Sequence, residues 1–135
     1  MNISALNWLA ILSATGSTFL MGYLWYSPLL FGKAWMEEIG FKGDEQEKPN
    51  MTKMLSLFFI FSFVMAFNLA LFLNDVKTTL QWGATAGFLA GFGWVAMSVF
   101  ITGQFEKRST RYMLIHGGYY IVCFVIMGAI LGGWR

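Results

Sequence analysis

Charge is what this sequence has least of. Asp, Glu, Lys and Arg make up 12% of its 135 residues, about half the share that a soluble domain carries. So few charges cannot solvate a globular surface, and lipid must cover much of this one. The net charge of +2 is too small to point to nucleic acid. No cluster of about 4–8 basic residues marks an anionic-lipid site. Cysteine is nearly absent as well. Cys123 stands alone, which excludes an intrachain disulfide and any cysteine-based metal cluster. It lies in an apolar run, where a free thiol behaves as a small hydrophobe. Metal-ligand spacings, a P-loop, a dinucleotide fingerprint and a nucleophile elbow are all missing, so neither a metal nor a cofactor is expected. Basic residues are missing from Met1 to Leu30, whereas a signal peptide opens on a positive segment. The first apolar run is also longer than a signal peptide's, and it reads as a retained helix.

Hydrophobic residues reach 57% and aromatics 19%. They fall into four apolar segments, at residues 7–28, 54–73, 81–102 and 112–134. Each is near the ~20 residues that cross ~30 Å of hydrocarbon. All nine basic and seven acidic residues lie outside these segments. Lipid offers no partner to an open backbone N–H or C=O, so continuous helix is demanded in each. The fold class expected is therefore all-α, an integral membrane four-helix bundle forming a single domain. Pro28 breaks or kinks the end of the first span.

The longest connection, Leu29 to Lys53, holds nine of the charges. Its first part, LLFGKAWMEEIG, alternates apolar and charged residues at near-helical spacing before Gly40. That pattern predicts a short helix lying in the interface, anchored by Phe31, Trp35 and Ile39. The stretch FKGDEQEKPN reads as a solvated turn. The connections at residues 74–80 and 103–111 are short, so the second, third and fourth spans are expected to be sequential neighbours.

Lys and Arg counts set the orientation. The first and third loops share Lys33, Lys42, Lys48, Lys53, Lys107, Arg108 and Arg111, against Lys77 and Arg135 on the other side. The first and third loops are thus expected in the cytoplasm and both termini outside. Trp8, Trp82 and Trp134 would lie at the outer interface and Trp35 at the inner one, as an aromatic belt requires. Aligning Trp25 with Trp94 also matches Phe19 with Phe88 and Gly22 with Gly91. Apolar composition alone produces such matches, and we read them as coincidence.

Three constellations stand out. Gly83, Gly87 and Gly91 are spaced four apart in the third span, and Gly128 and Gly132 in the fourth. Small residues at that spacing let helix backbones approach closely, either between these spans in one chain or between two copies. Polar side chains concentrate in the cytoplasmic third: Tyr26, Ser27, Ser56, Ser98, Thr102, Tyr119 and Tyr120, with Pro28 leaving the Leu24 carbonyl unbonded. At 1.5 Å per residue Ser27 lies ~9 Å from Lys33, and His116 ~7.5 Å from Arg111. The layer reads either as a pocket open to the cytoplasm or as interhelical hydrogen bonding. His116 is the only histidine and the only side chain near a span that titrates near neutrality. It cannot hold a metal alone.

The segments WYSPLLFGKAW (Trp25–Trp35), IHGGYYIV (Ile115–Val122) and the closing GAILGGW are similar to a known family. The chain resembles the small bacterial membrane proteins grouped as domain of unknown function 1761. The likeness runs from the first helix to Trp134. It implies a multi-pass protein of the bacterial cytoplasmic (inner) membrane, and it brings no activity to transfer. Small multidrug exchangers depend on an intramembrane carboxylate, which is missing here. The leading expectation is a non-enzymatic protein in contact with membrane lipid, homo-oligomeric, that binds or passes a small solute or supports a membrane complex. The alternative is an interfacial lipid-modifying enzyme built on His116 and Ser27.

Overall fold

The structure, a computed structural model, describes residues 3–40 and 50–134. Every regular element among them is helical. After a short 3-10 turn at Ile3–Ala5, helix α1 runs Trp8–Trp25. Its start is fixed by Asn7, whose side chain accepts the Ala10 N–H at 3.1 Å. Its end precedes Pro28, because a proline disfavours helical backbone in the residue before it and supplies no N–H. Helix α2, Gly32–Ile39, is the short helix expected there, and it closes on Gly40 at φ 70°. Only glycine adopts that left-handed conformation at no steric cost. The segment read as a solvated turn lies, up to residue 49, outside the described residues.

Helix α3 covers Met51–Phe72, α4 Leu80–Ala90 and α5 Met97–Phe105. Helix α6 covers Thr110–Gly133. Caps, not hydropathy, set their starts. Asn50, Thr79 and Ser109 accept the N–H of Lys53, Trp82 and Tyr112 at 3.2, 3.1 and 3.0 Å. That is why α3 and α6 begin ahead of their apolar runs. A π-helical turn at Gly91–Ala96 joins α4 to α5. Met51–Phe72, Leu80–Phe105 and Thr110–Gly133 are each long and apolar enough to cross a membrane. Helix α1, with 18 residues including Ser13, Thr15, Ser17 and Thr18, is not among them. Three of these hydroxyls turn back onto their own helix: Thr15 donates to the Ile11 carbonyl at 2.8 Å, Ser17 to that of Ala14 at 2.6 Å and Thr18 to that of Thr15 at 2.7 Å. Bonding of this kind satisfies a hydroxyl without water.

Helix α6 is the hub. Gly83, Gly87 and Gly91 lie against one side of it. A Cβ on Gly83 would overlap the Gly128 carbonyl oxygen, and one on Gly87 would overlap that of Phe124. A Cβ on Gly132 would come within 3.0 Å of the Gly83 Cα. Both glycine rows therefore meet each other inside one chain. On its other side α6 packs against α1, and α1 in turn carries α3, with Trp8 stacked on Phe67 at 5.8 Å and Phe19 edge-on to Phe58 at 4.6 Å. Ala10, Ile11, Ala14, Ala66, Leu69, Met127 and Leu131 form the shared core. Asn7 Nδ2 donates to the Trp134 carbonyl at 3.2 Å, tying the start of α1 to the end of α6.

One expectation is corrected. The second and third spans, joined by the short segment at residues 73–79, do not pack side by side. Helix α3 packs on α1, and α4 is drawn onto α6. The reason is the distribution of small residues. The glycine row of α4 finds its complement on α6, while the alanines of α3 find theirs on α1.

Candidate functional site

The polar layer is built where α1 ends. Pro28 leaves the Leu24 carbonyl without a helical donor, and Ser27 supplies one locally. Its hydroxyl donates at 2.7 Å and its N–H at 3.3 Å. The chain then folds back sharply, with the Phe31 N–H on the Trp25 carbonyl at 3.0 Å and the Gly32 N–H on that of Ser27 at 2.9 Å. This turn aims Trp25 and Tyr26 at α6. Trp25 Nε1 donates to the Ile115 carbonyl at 2.9 Å. The Tyr26 hydroxyl meets His116 Nδ1 at 2.8 Å. One turn further along α6, the Tyr119 hydroxyl donates to the Thr18 carbonyl at 2.7 Å. Trp35 of α2 sits edge-on to Tyr26 at 5.1 Å.

Tyr26, Ser27, His116 and Tyr119 are thus brought to one α1–α6 joint, and Pro28 shapes the turn beside it. Ser27 and His116 form no pair: the hydroxyl is spent on Leu24, and the imidazole Nδ1 on Tyr26. Ser98 is elsewhere, on the exposed side of α5, donating to the Trp94 carbonyl at 2.6 Å. Tyr120 lies beside Tyr119, their ring centres 5.3 Å apart.

Ser98, Tyr120 and His116 meet instead across a cleft. Because α3 and α4–α5 diverge, an open groove of about 600 Å³ lies between them, with α6 as its floor. Ser98, Thr102 and Glu106 line one wall, Met65 the other, and Tyr112, His116 and Tyr120 the floor. Toward the opposite end of the same helices a second, apolar hollow of about 390 Å³ is lined by Leu69, Phe72, Trp82, Ala86, Leu89 and Trp94. The π turn separates the two, with Trp94 in one lining and Val95 in the other. His116 Nε2 is buried and has no hydrogen-bond partner.

Sequence reasoning missed a clamp beside this layer. Arg111 Nε donates to Glu38 at 2.7 Å and Nη2 to Glu37 at 2.9 Å. Ser109, the cap of α6, donates its hydroxyl to Glu38 as well. Hydrogen bonding from Ser109, then from the Arg111 guanidinium, holds the Glu38 carboxyl below its usual range. Adjacent acids on a short helix and a Ser-Thr-Arg helix start were visible signals; their pairing was not. Arg108 lies 4.9 Å from the Tyr112 ring centre and 3.5 Å from Glu106. Among the described residues no group of three His, Cys, Asp or Glu could hold a metal ion.

These features define a small protein that is all-helical among the described residues, with three helices there long and apolar enough to cross a membrane. A family model described as a protein of unknown function (DUF1761) matches residues 9–132, and the chain belongs to that family. No curated protein and no solved structure matches it.

Proposed function

We propose that the chain is a non-enzymatic multi-pass membrane protein that binds a membrane amphiphile in the cleft between α3 and α4–α5. The observation that carries this reading is the succession of two hollows along α4–α5. One is apolar, lined by Leu69, Trp82, Leu89 and Trp94, and the other carries Ser98, Thr102, Tyr112, His116 and Tyr120. A volume of this order suits a small-molecule site, and an apolar hollow flanked by lipid is filled by something with a hydrocarbon chain. In this reading α1 is a fourth span, with the hydroxyls of Thr15, Ser17 and Thr18 satisfied within the helix. The Lys and Arg asymmetry supports an orientation with the first and third loops cytoplasmic and both termini outside, and the bacterial inner membrane is the location this reading assigns. Separation of Ser27 from His116 takes away the pair on which a lipid-modifying enzyme would rest. Self-association, the other expectation, would use a face other than Gly128 and Gly132, since these are spent on α4.

The test is to fill the hollow. Ala86→Phe and Ala90→Phe place rings in the apolar half of the cleft. Binding of a fluorescent single-chain amphiphile to the purified protein should fall at least tenfold in both. Unchanged binding in folded variants would refute the reading.

A further inference from the structure

His116, on the floor of the cleft, carries a buried atom that lacks a partner. His116 Nδ1 is engaged by the Tyr26 hydroxyl at 2.8 Å, while Nε2 is buried without one. A phenol hydroxyl is a good donor and an imidazole nitrogen a good acceptor, so the Tyr26 proton belongs in the bond to Nδ1. The neutral ring then carries its own proton on Nε2. A buried N–H donor left unmade carries the full penalty of its desolvation. Such a group is retained where something else completes it.

Depth says what that something is. The bilayer is about 40–45 Å thick with headgroups and ~30 Å without them, leaving ~5–7.5 Å of headgroup layer on each side. His116 lies five residues into α6 from Arg111, or ~7.5 Å along the axis. Glu106 and Arg108, paired at 3.5 Å, mark the rim. The imidazole therefore stands where headgroup meets hydrocarbon, which is the level of a glycerolipid's ester carbonyls. One leaflet of hydrocarbon is ~15 Å, or about ten residues of helix. Counted back from Ser98, that length ends near Phe88, and the apolar hollow continues beyond it to Trp82. The π turn at the junction of the two hollows adds a second signal, since such turns concentrate at functional sites.

Resting on the amphiphile reading above, we infer that the occupant is a phospholipid whose ester carbonyl accepts the His116 Nε2–H. One of its chains lies along Leu69, Leu89 and Trp94. Tyr112, edge-on to the imidazole at 4.4 Å, is the floor residue that turns aside to uncover Nε2. A carbonyl acceptor is required; a hydrocarbon chain alone leaves the donor unpaired.

The experiment compares two lipids on the full-length protein. Dipalmitoyl phosphatidylcholine and its dihexadecyl ether counterpart share headgroup and chain length, but the ether lacks both carbonyls. Native mass spectrometry should show one diester lipid per chain, with the ether about tenfold weaker, the scale of one hydrogen bond to a neutral group. In His116→Phe the two lipids should bind alike. Equal binding of ester and ether by the unaltered chain overturns the assignment without needing any variant, and so does an ester preference that survives in His116→Phe. If both lipids bind equally and Ala90→Phe removes both, the cleft still takes an amphiphile and only the carbonyl contact is wrong. If Ala90→Phe removes neither, the amphiphile reading falls too. A dimer whose dissociation opens the lipid site would identify a second copy as occupant, and would also overturn the proposal.

Discussion

Replacing Gly128 by alanine adds one methyl group at the tightest point of the fold. The backbone of α4 passes so close that the new Cβ would fall on the Gly83 carbonyl oxygen, with the Gly87 Cα at 3.3 Å. Ordinary contact begins near 3.4 Å, so the two helices must part by more than an ångström. Nothing flexible can give way, because both obstacles are backbone. Overpacking of this kind costs about 1–3 kcal/mol, and separation also weakens the close helix–helix contacts that small residues allow. Gly16 supplies the control, since a Cβ there meets nothing within 4 Å. Gly16→Ala should be neutral or stabilising by up to ~1 kcal/mol through helix propensity. Unfolding in mixed micelles should therefore separate the two variants by at least ~1 kcal/mol. A double variant, Gly83→Ala with Gly128→Ala, should cost less than the sum of its singles, because the first methyl already opens the gap that the second needs. Gly128→Ala as stable as Gly16→Ala would show that the glycine rows do not meet, and the divergence of α3 from α4 would lose its explanation.

Topology comes next: reporters fused after Lys48 and Arg108 should be cytoplasmic and one after Arg135 external, and a cytoplasmic C-terminus would sink the four-span reading. Tyr26→Phe removes a hydroxyl from a half-buried imidazole and should lower stability by about 1–2 kcal/mol, measured against Ser98→Ala, whose exposed hydroxyl serves only its own helix and whose loss should fall within ~0.5 kcal/mol. For Glu38, whose carboxyl is held below the ordinary value of about 4.3, the clamp should be fully made above that value and lost as pH falls through the lower, folded one. Trp35 emission, which follows α2, should then hold steady down to about pH 4 and change only below it. A transition near pH 6 would contradict the carboxylate assignment, and Arg111→Gln should shift the emission at every pH.

The sequence states depth well and direction poorly, for a physical reason. Rise per residue is fixed at 1.5 Å, so Ser27, His116 and Tyr119 could be assigned to one layer before any coordinates existed. Pro28 could likewise be read as freeing the Leu24 carbonyl, because that effect is confined to one stretch of chain. The azimuth of a side chain is different, since it acquires meaning only relative to a neighbouring helix. Ser98 and Tyr119 lie in the same third of the molecule, yet one bonds back to the Trp94 carbonyl beside the open cleft and the other reaches the Thr18 carbonyl. Nor could the π turn be read ahead, as Gly91 and Gly93 suit a straight helix equally well.

The cleft is hardest to foresee because no residue in its lining creates it. Short connections argued that the second and third spans should pack together, and for most helical hairpins that inference holds. Here two stronger preferences act at a distance. Gly83 and Gly87 commit α4 to the backbone of α6. Ala66 and Ala70, packed in one core with Ala10 and Ala14, commit α3 to α1. Each helix has a narrow face of small residues and can satisfy it once. With both faces used elsewhere, α3 approaches the π turn after α4 through large side chains, Phe72 and Trp94, whose ring centres stay 6.4 Å apart. The space between them is left over from packing on the far sides. A position such as Ala90 becomes informative only after that geometry is known. It rests against the core on one side and lines the apolar hollow on the other, and a ring placed there asks directly whether the leftover space is used.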